Sequence, residues 1–156
     1  CQDNEISWID WSLLKKNKEL FEFFKFMIAY RKKHPVIRKK LDNAVCGMEG
    51  MHAHDVNADR MEVSQNAKTL AVSFAGYDRK KCKDDLVYVA VNAYWEAVRI
   101  TLPNLANHGA WYLSVDTYGD ENGKYCYEEG EEIRIDHEYV MKPRSIVVFT
   151  GRQVLR

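Results

Sequence analysis

The sequence predicts a mainly β fold, an antiparallel β-sandwich entered through one α-helix. Three observations carry this. One stretch, roughly residues 17–33, repeats its apolar residues at helical spacing; the text after about Leu41 alternates instead; and the alternating runs follow one another about every ten to fifteen residues, with turn signals and no helices between them. At 156 residues and 18.2 kDa the chain has room for one principal core, and a hydrophobic fraction of 46% supplies the material.

In the helical stretch Leu20, Phe24, Met27 and Ile28 form the stripe, and Phe21 and Phe23 widen it. Asn17 is placed to cap its start. Pro35 closes it, because it pushes His34 out of the α region and has no N–H for a helical ladder. This apolar face, preceded by Trp8-Ile9-Asp10-Trp11, is broader than a solvent-facing helix needs, so it calls for a partner surface. Residues 42–66, with Gly47, Gly50 and methionines at 48, 51 and 61, read as an irregular loop with room for a short strand.

The strands follow in order. Leu70, Val72 and Phe74 alternate up to Gly76-Tyr77-Asp78, and Val87, Val89 and Val91 make the next run. Val98, Ile100 and Leu102 end at Pro103; Trp111, Leu113 and Val115 precede the turn residues Asp120 to Gly123. Ile133 and Ile135 alternate with Glu132, Arg134 and Asp136, and Ser145 to Thr150 reads as a more fully buried last strand. Trp111, in phase with Leu113 and Val115, is expected in the core beside Val89, Ile100 and Val148, with Tyr112 pointing the other way.

Charge narrows the functions. With 23 Lys+Arg against 23 Asp+Glu the formal net charge is zero, which excludes a nucleic-acid binder that needs a broad basic surface. Apolar stretches such as Leu86 to Ala93 fall short of the roughly 18 residues of a membrane span. The chain opens on Cys1 and polar residues, which reads as a piece of something longer. Its cysteines, Cys1, Cys46, Cys82 and Cys126, form no Cys-x-x-Cys pair, and no Asn-x-Ser/Thr acceptor occurs; a cytoplasmic protein without a redox or zinc site is expected.

Few constellations suggest chemistry. His52-x-His54-Asp55 offers two imidazoles and a carboxylate, but without helical i, i+4 spacing they read as loop polar residues, and no metal is expected. The acidic run from Glu121 to Glu138, including Glu128, Glu129, Glu131 and Glu132, reads as a solvated edge that discourages strand association. The basic run from Lys15 to Lys40 is the polar side of the helix and its exit. Arg134-x-Asp136 has the form of a glycosidase nucleophile strand, yet alternation puts both on a polar face. There is no Gly-rich phosphate loop and no Gly-x-Ser-x-Gly elbow, so no cofactor and no catalytic residue is assigned.

Longer motifs are more informative. Cys1 to Trp11, then Phe23-Phe24, Ile28 to Pro35 and Ile37-Arg38, resemble the tail of the catalytic barrel in bacterial isoamylase-type glycogen-debranching enzymes of the α-amylase superfamily. Asn92-Ala-Tyr-Trp-Glu-Ala-Val98, Leu102-Pro103, Trp111 with Asp116-Thr117, and Arg144 to Val148 resemble the C-terminal β-domain of the same family, in the same order. The loop from Cys46 to Glu62 departs from that pattern.

The resemblance implies that residues 1–41 are the tail of a (β/α)8 barrel, including its last helix, and residues 42–156 the C-terminal sandwich. The parent would be a retaining glycoside hydrolase acting on α-1,6 branch points of glycogen or limit dextrin, with its carboxylates, about 5 Å apart, upstream of residue 1. This chain would then be noncatalytic, with the barrel as its partner. Asp3, Asn4 and Glu5 would sit on the active-site side of the barrel and line the glucan cleft, since barrel sites are built at the C-terminal ends of strands. An alternative is an independent carbohydrate-binding sandwich that offers Tyr94, Trp95, Tyr112, Tyr118, Tyr125 and Tyr127 to sugars.

Overall fold

The computed structural model describes residues 3–58, 60, 67–106 and 108–153. A short helix α1 (Leu13–Lys16) leads into α2 (Lys18–Lys33), and a 3-10 turn (Pro35–Ile37) follows. Asn17 stands at the N-cap, although its side chain makes no capping bond. Eight strands come next: β1 (Met51–His54), β2 (Thr69–Asp78), β3 (Lys83–Asn92), β4 (Val98–Thr101), β5 (Ala110–Asp116), β6 (Ile133–Ile135), β7 (Glu138–Met141) and β8 (Ser145–Arg152). They form an antiparallel six-stranded sheet, ordered β1-β2-β3-β8-β5-β6, and a two-stranded sheet of β4 and β7. The β-sandwich read from the sequence is therefore present, in the form of a large sheet faced by a small one.

Helix α2 adds a third layer. Alternation along the two central strands sorts their residues between two cores. Leu86, Tyr88, Ala90, Val147 and Phe149 face the small sheet and meet Ile100, Leu102, Trp111 and Met141. Val87, Val89 and Val148 face the helix and meet Tyr30, Phe23, Phe26, Met27 and Val36. Strands covered on both sides read as nearly continuous apolar runs, which is why Ser145 to Thr150 looked buried throughout. The small sheet is tied down by Tyr139 Oη, which donates to Asp116 Oδ2 at 2.7 Å. Among the described residues no helix is long and apolar enough to cross a membrane.

Three sequence expectations need correction. Trp111 is buried as expected, with 2% of its surface exposed, and its indole Nε1 donates to Pro103 O at 2.7 Å. Of its expected neighbours only Ile100 shares its core; Val89 and Val148 lie on the helix face, one step out of phase. Val115 also leaves the phase of Trp111 and Leu113, because a bulge between Leu113 and Val115 inserts Ser114 and turns Val115 toward the helix. In β2 the small residues Ala71, Ser73 and Ala75 are the buried ones, whereas Leu70 is exposed.

Candidate functional site

A buried polar network fastens the end of α2 to the large sheet. His34, displaced from helical geometry before Pro35 (φ −111°, ψ 83°), aims its ring at β3, where Nδ1 donates to Asp85 Oδ1 at 2.6 Å. The other Asp85 oxygen accepts the Val36 N–H at 3.0 Å, and both side chains are buried. A carboxylate only accepts, so His34 carries its proton on Nδ1. One turn earlier, the Tyr30 hydroxyl lies 2.8 Å from Thr150 Oγ1, which lies 2.8 Å from Ser114 Oγ. Burial drives the Tyr30 phenol well above its ordinary pKa despite these two hydroxyl partners, so it stays neutral. At the rim Lys33 bonds Glu129 at 2.6 Å and holds that carboxyl below its usual range. With both oxygens of Asp85 occupied, the cluster works as a fastener and not as a base. The pair is not legible in sequence because His34 and Asp85 are 51 positions apart and no spacing pattern joins them.

The opposite face of α2 has no partner among the described residues. Leu20 (57%), Phe24 (57%) and Ile28 (55%) lie open to solvent, continued toward the N-terminus by Trp8, Ile9, Trp11, Leu13 and Leu14. On the same side of the large sheet, Leu70 and Ile146, which flank Val91 in register, are also exposed. Asp3, Asn4 and Glu5 form a turn just before this apolar segment. Asn4 Oδ1 accepts the Ile6 N–H, Asn4 O accepts from Ser7, and the Trp8 indole donates to Asp3.

In the His52-His54-Asp55 cluster the two imidazole rings meet edge to face with centroids 4.7 Å apart, but each of His54 and Asp55 has a partner elsewhere. His54 is buried against Tyr88 and its Nε2 is bonded to Ser73 Oγ at 2.9 Å, while Asp55 accepts from Thr69 at 3.4 Å. Among the described residues no group of three or more His, Cys, Asp or Glu is arranged to hold a metal ion. Arg134 and Asp136 form an exposed ion pair at 3.4 Å.

The aromatics divide by environment. Tyr127 is buried, Tyr112 lies beneath the Arg152 guanidinium, and Tyr125 packs on Gly119. Tyr118 and Trp95 are exposed, and Trp95 packs against Tyr94 with ring centroids 4.2 Å apart.

Comparison with known proteins gives these features a context. The family model described as "Isoamylase, C-terminal" matches residues 39–150. The "Glycogen operon protein GlgX homolog" of Mycobacterium bovis and that of Mycobacterium tuberculosis are each 48% identical over 40 residues, 26% of this chain and 6% of theirs. The "Isoamylase" of Pseudomonas amyloderamosa is 24% identical over 115 residues, 74% of this chain and 15% of its own. The matched region is thus a small share of each of these relatives. With the family model spanning most of the chain, and the antiparallel sandwich that the sequence predicted present, the chain belongs to the isoamylase C-terminal domain family.

Proposed function

We propose that this chain is the noncatalytic C-terminal part of a cytoplasmic glycogen-debranching glycoside hydrolase that hydrolyses α-1,6 branch points. Residues 1–41 are the tail of its barrel and residues 42–156 its sandwich. The observation that carries the reading is that α2 is apolar on two sides. Its inner stripe, Phe23, Phe26, Met27 and Tyr30, is packed on the sheet, and its outer stripe, Leu20, Phe24 and Ile28, is left for another body. Monomeric proteins rarely leave contiguous patches of this kind uncovered. The other body is the upstream barrel, which supplies the carboxylate pair of a retaining glycosidase. The sandwich holds the last barrel helix through the Tyr30 and His34 bonds, and Asp3, Asn4 and Glu5 line the glucan cleft. The glycogen and isoamylase names of the relatives support the substrate class.

The test is complementation. The upstream barrel, expressed as a separate chain, is expected to release reducing ends from glycogen only when this chain is added, and Phe24→Asp is expected to prevent rescue while leaving this chain folded. Debranching by this chain alone, or a barrel indifferent to it, would overturn the reading.

A further inference from the structure

We propose that the loop between β3 and β4 carries an α-glucan binding site centred on Trp95, separate from the barrel-facing surface. The choice of an α-glucan rests on the debranching reading; the site itself rests on geometry. Trp95 is 66% exposed, although it sits on a tightly fixed loop. The buried Asn92 side chain donates to Glu96 O and Lys142 O, each at 2.9 Å, and accepts the Tyr94 N–H at 3.0 Å. Arg144, held in the left-handed region at φ 50°, donates its N–H to Tyr94 O, and Ala93 donates to Lys68 O. A rigid loop that presents an indole to water gains nothing for the core by doing so; such placement fits recognition.

The surroundings select the ligand. Beneath the indole, Tyr94 is covered on one face by Lys68 Nζ, 3.7 Å from the ring centroid. Beside Tyr94, on which the Trp95 indole packs, runs an open groove of about 470 Å³ whose charged lining is Asp55, Glu96, Lys68 and Arg99, two carboxylates and two cations. A groove of zero formal charge suits neither an anion nor a charged peptide. It suits an uncharged ligand with many hydroxyls, and the indole suits the apolar face of a pyranose ring.

Register separates this groove from the barrel side. Thr69, which borders it, pairs with Asn92 on the face of the large sheet that carries Ala90 and Tyr88, opposite the helix. Val98 and Arg99 of the small sheet form its other wall. The barrel proposed to cover α2 therefore leaves this groove open, with the Tyr94 ring that carries Trp95 at its side, and a glucan chain seated here is held by the same molecule that debranches it.

Titration of the 156-residue chain with maltoheptaose, followed by calorimetry and by amide NMR shifts, tests the site. Saturable binding with shifts centred on residues 93–97 is expected, with an affinity loss of about tenfold or more in Trp95→Ala. Lys68→Ala should weaken binding less, and Trp8→Ala and Trp11→Ala should not change it. An unchanged melting temperature shows that Trp95→Ala is folded. Three results would overturn the proposal: no saturable binding, undiminished binding by Trp95→Ala, or equal affinity for cellohexaose. None of them bears on complementation by the barrel, so the two readings fail separately.

Discussion

Asp85→Ala should loosen the helix from the sheet. In the native structure the carboxylate takes two buried donors, His34 Nδ1 at 2.6 Å and Val36 N–H at 3.0 Å, and water is excluded from both. Alanine satisfies neither. Leaving a buried donor unpaired costs about 1–3 kcal/mol, so the pair amounts to about 2–6 kcal/mol. A domain of this size is stable by only about 5–15 kcal/mol, and each kcal/mol moves its melting point by about 2–4 °C, so a fall of about 5–20 °C is expected. Asp85→Asn separates the contributions, because its amide oxygen still accepts from Val36 while its amide nitrogen opposes His34 Nδ1–H; it should lose roughly half as much. Calorimetric melting, with hydrogen exchange read across residues 26–39, is the assay. Faster exchange of the Val36 amide should accompany the lower melting point. A melting point unchanged in Asp85→Ala would mean that the helix end is held by its apolar contacts alone, and that the polar network contributes nothing to the joint.

Trp111→Ala should cost about 3–5 kcal/mol, the usual range for removing a large core aromatic, and chemical denaturation would show whether any folded population survives. Burial, with a smaller contribution from Glu128, pushes the Cys126 thiol up to about 11, whereas Cys82 is exposed; at neutral pH iodoacetamide should label Cys82 well before Cys126, and equal rates would contradict the packing. Because folding raises the Tyr30 pKa, the stability it lends is complete below its ordinary pKa of about 10 and is lost as pH rises beyond it, at up to about 1.4 kcal/mol per unit; Tyr30→Phe should flatten this alkaline decline. In the full-length parent, Asp3→Ala, Asn4→Ala and Glu5→Ala together should raise KM for branched glucan, and unchanged kinetics would remove these residues from the cleft.

The strands and helix were legible because their periods are strong. The partition of strand residues between two cores was not. Val87, Val89 and Val91 look like one buried face, but only knowledge that a helix covers that side tells Val89 from Tyr88 as a neighbour of Trp111. The bulge at Ser114 shows no signal in sequence; the Ser114 hydroxyl meets Thr150, a residue distant in the chain. Strand β7 was hidden because Glu138-Tyr139-Val140-Met141 adjoins an acidic run that reads as surface. The surplus apolar face of α2 was visible from spacing alone; the fastener beneath it was not, because a histidine and an aspartate 51 positions apart carry no pattern. Among the six tyrosines and tryptophans offered to sugars, alternation separated Tyr112 from Trp111 but said nothing of loop residues such as Trp95.

The joint between α2 and the sheet has a consequence for where this unit begins. The family model matches from residue 39, a point beyond Tyr30, His34 and Val36. Cooperative folding draws its border elsewhere. A chain trimmed to residue 39 would keep every strand yet bare Val87, Val115 and Val148 to water and leave Asp85, Thr150 and Ser114 without their helical partners. Such a trimmed protein should be sticky and poorly stable, and appending residues 17–38 should cure both faults. By packing the helix completes the sandwich, and on the reading proposed above it also closes a barrel; on that reading neither body could be cut from the other without tearing a core.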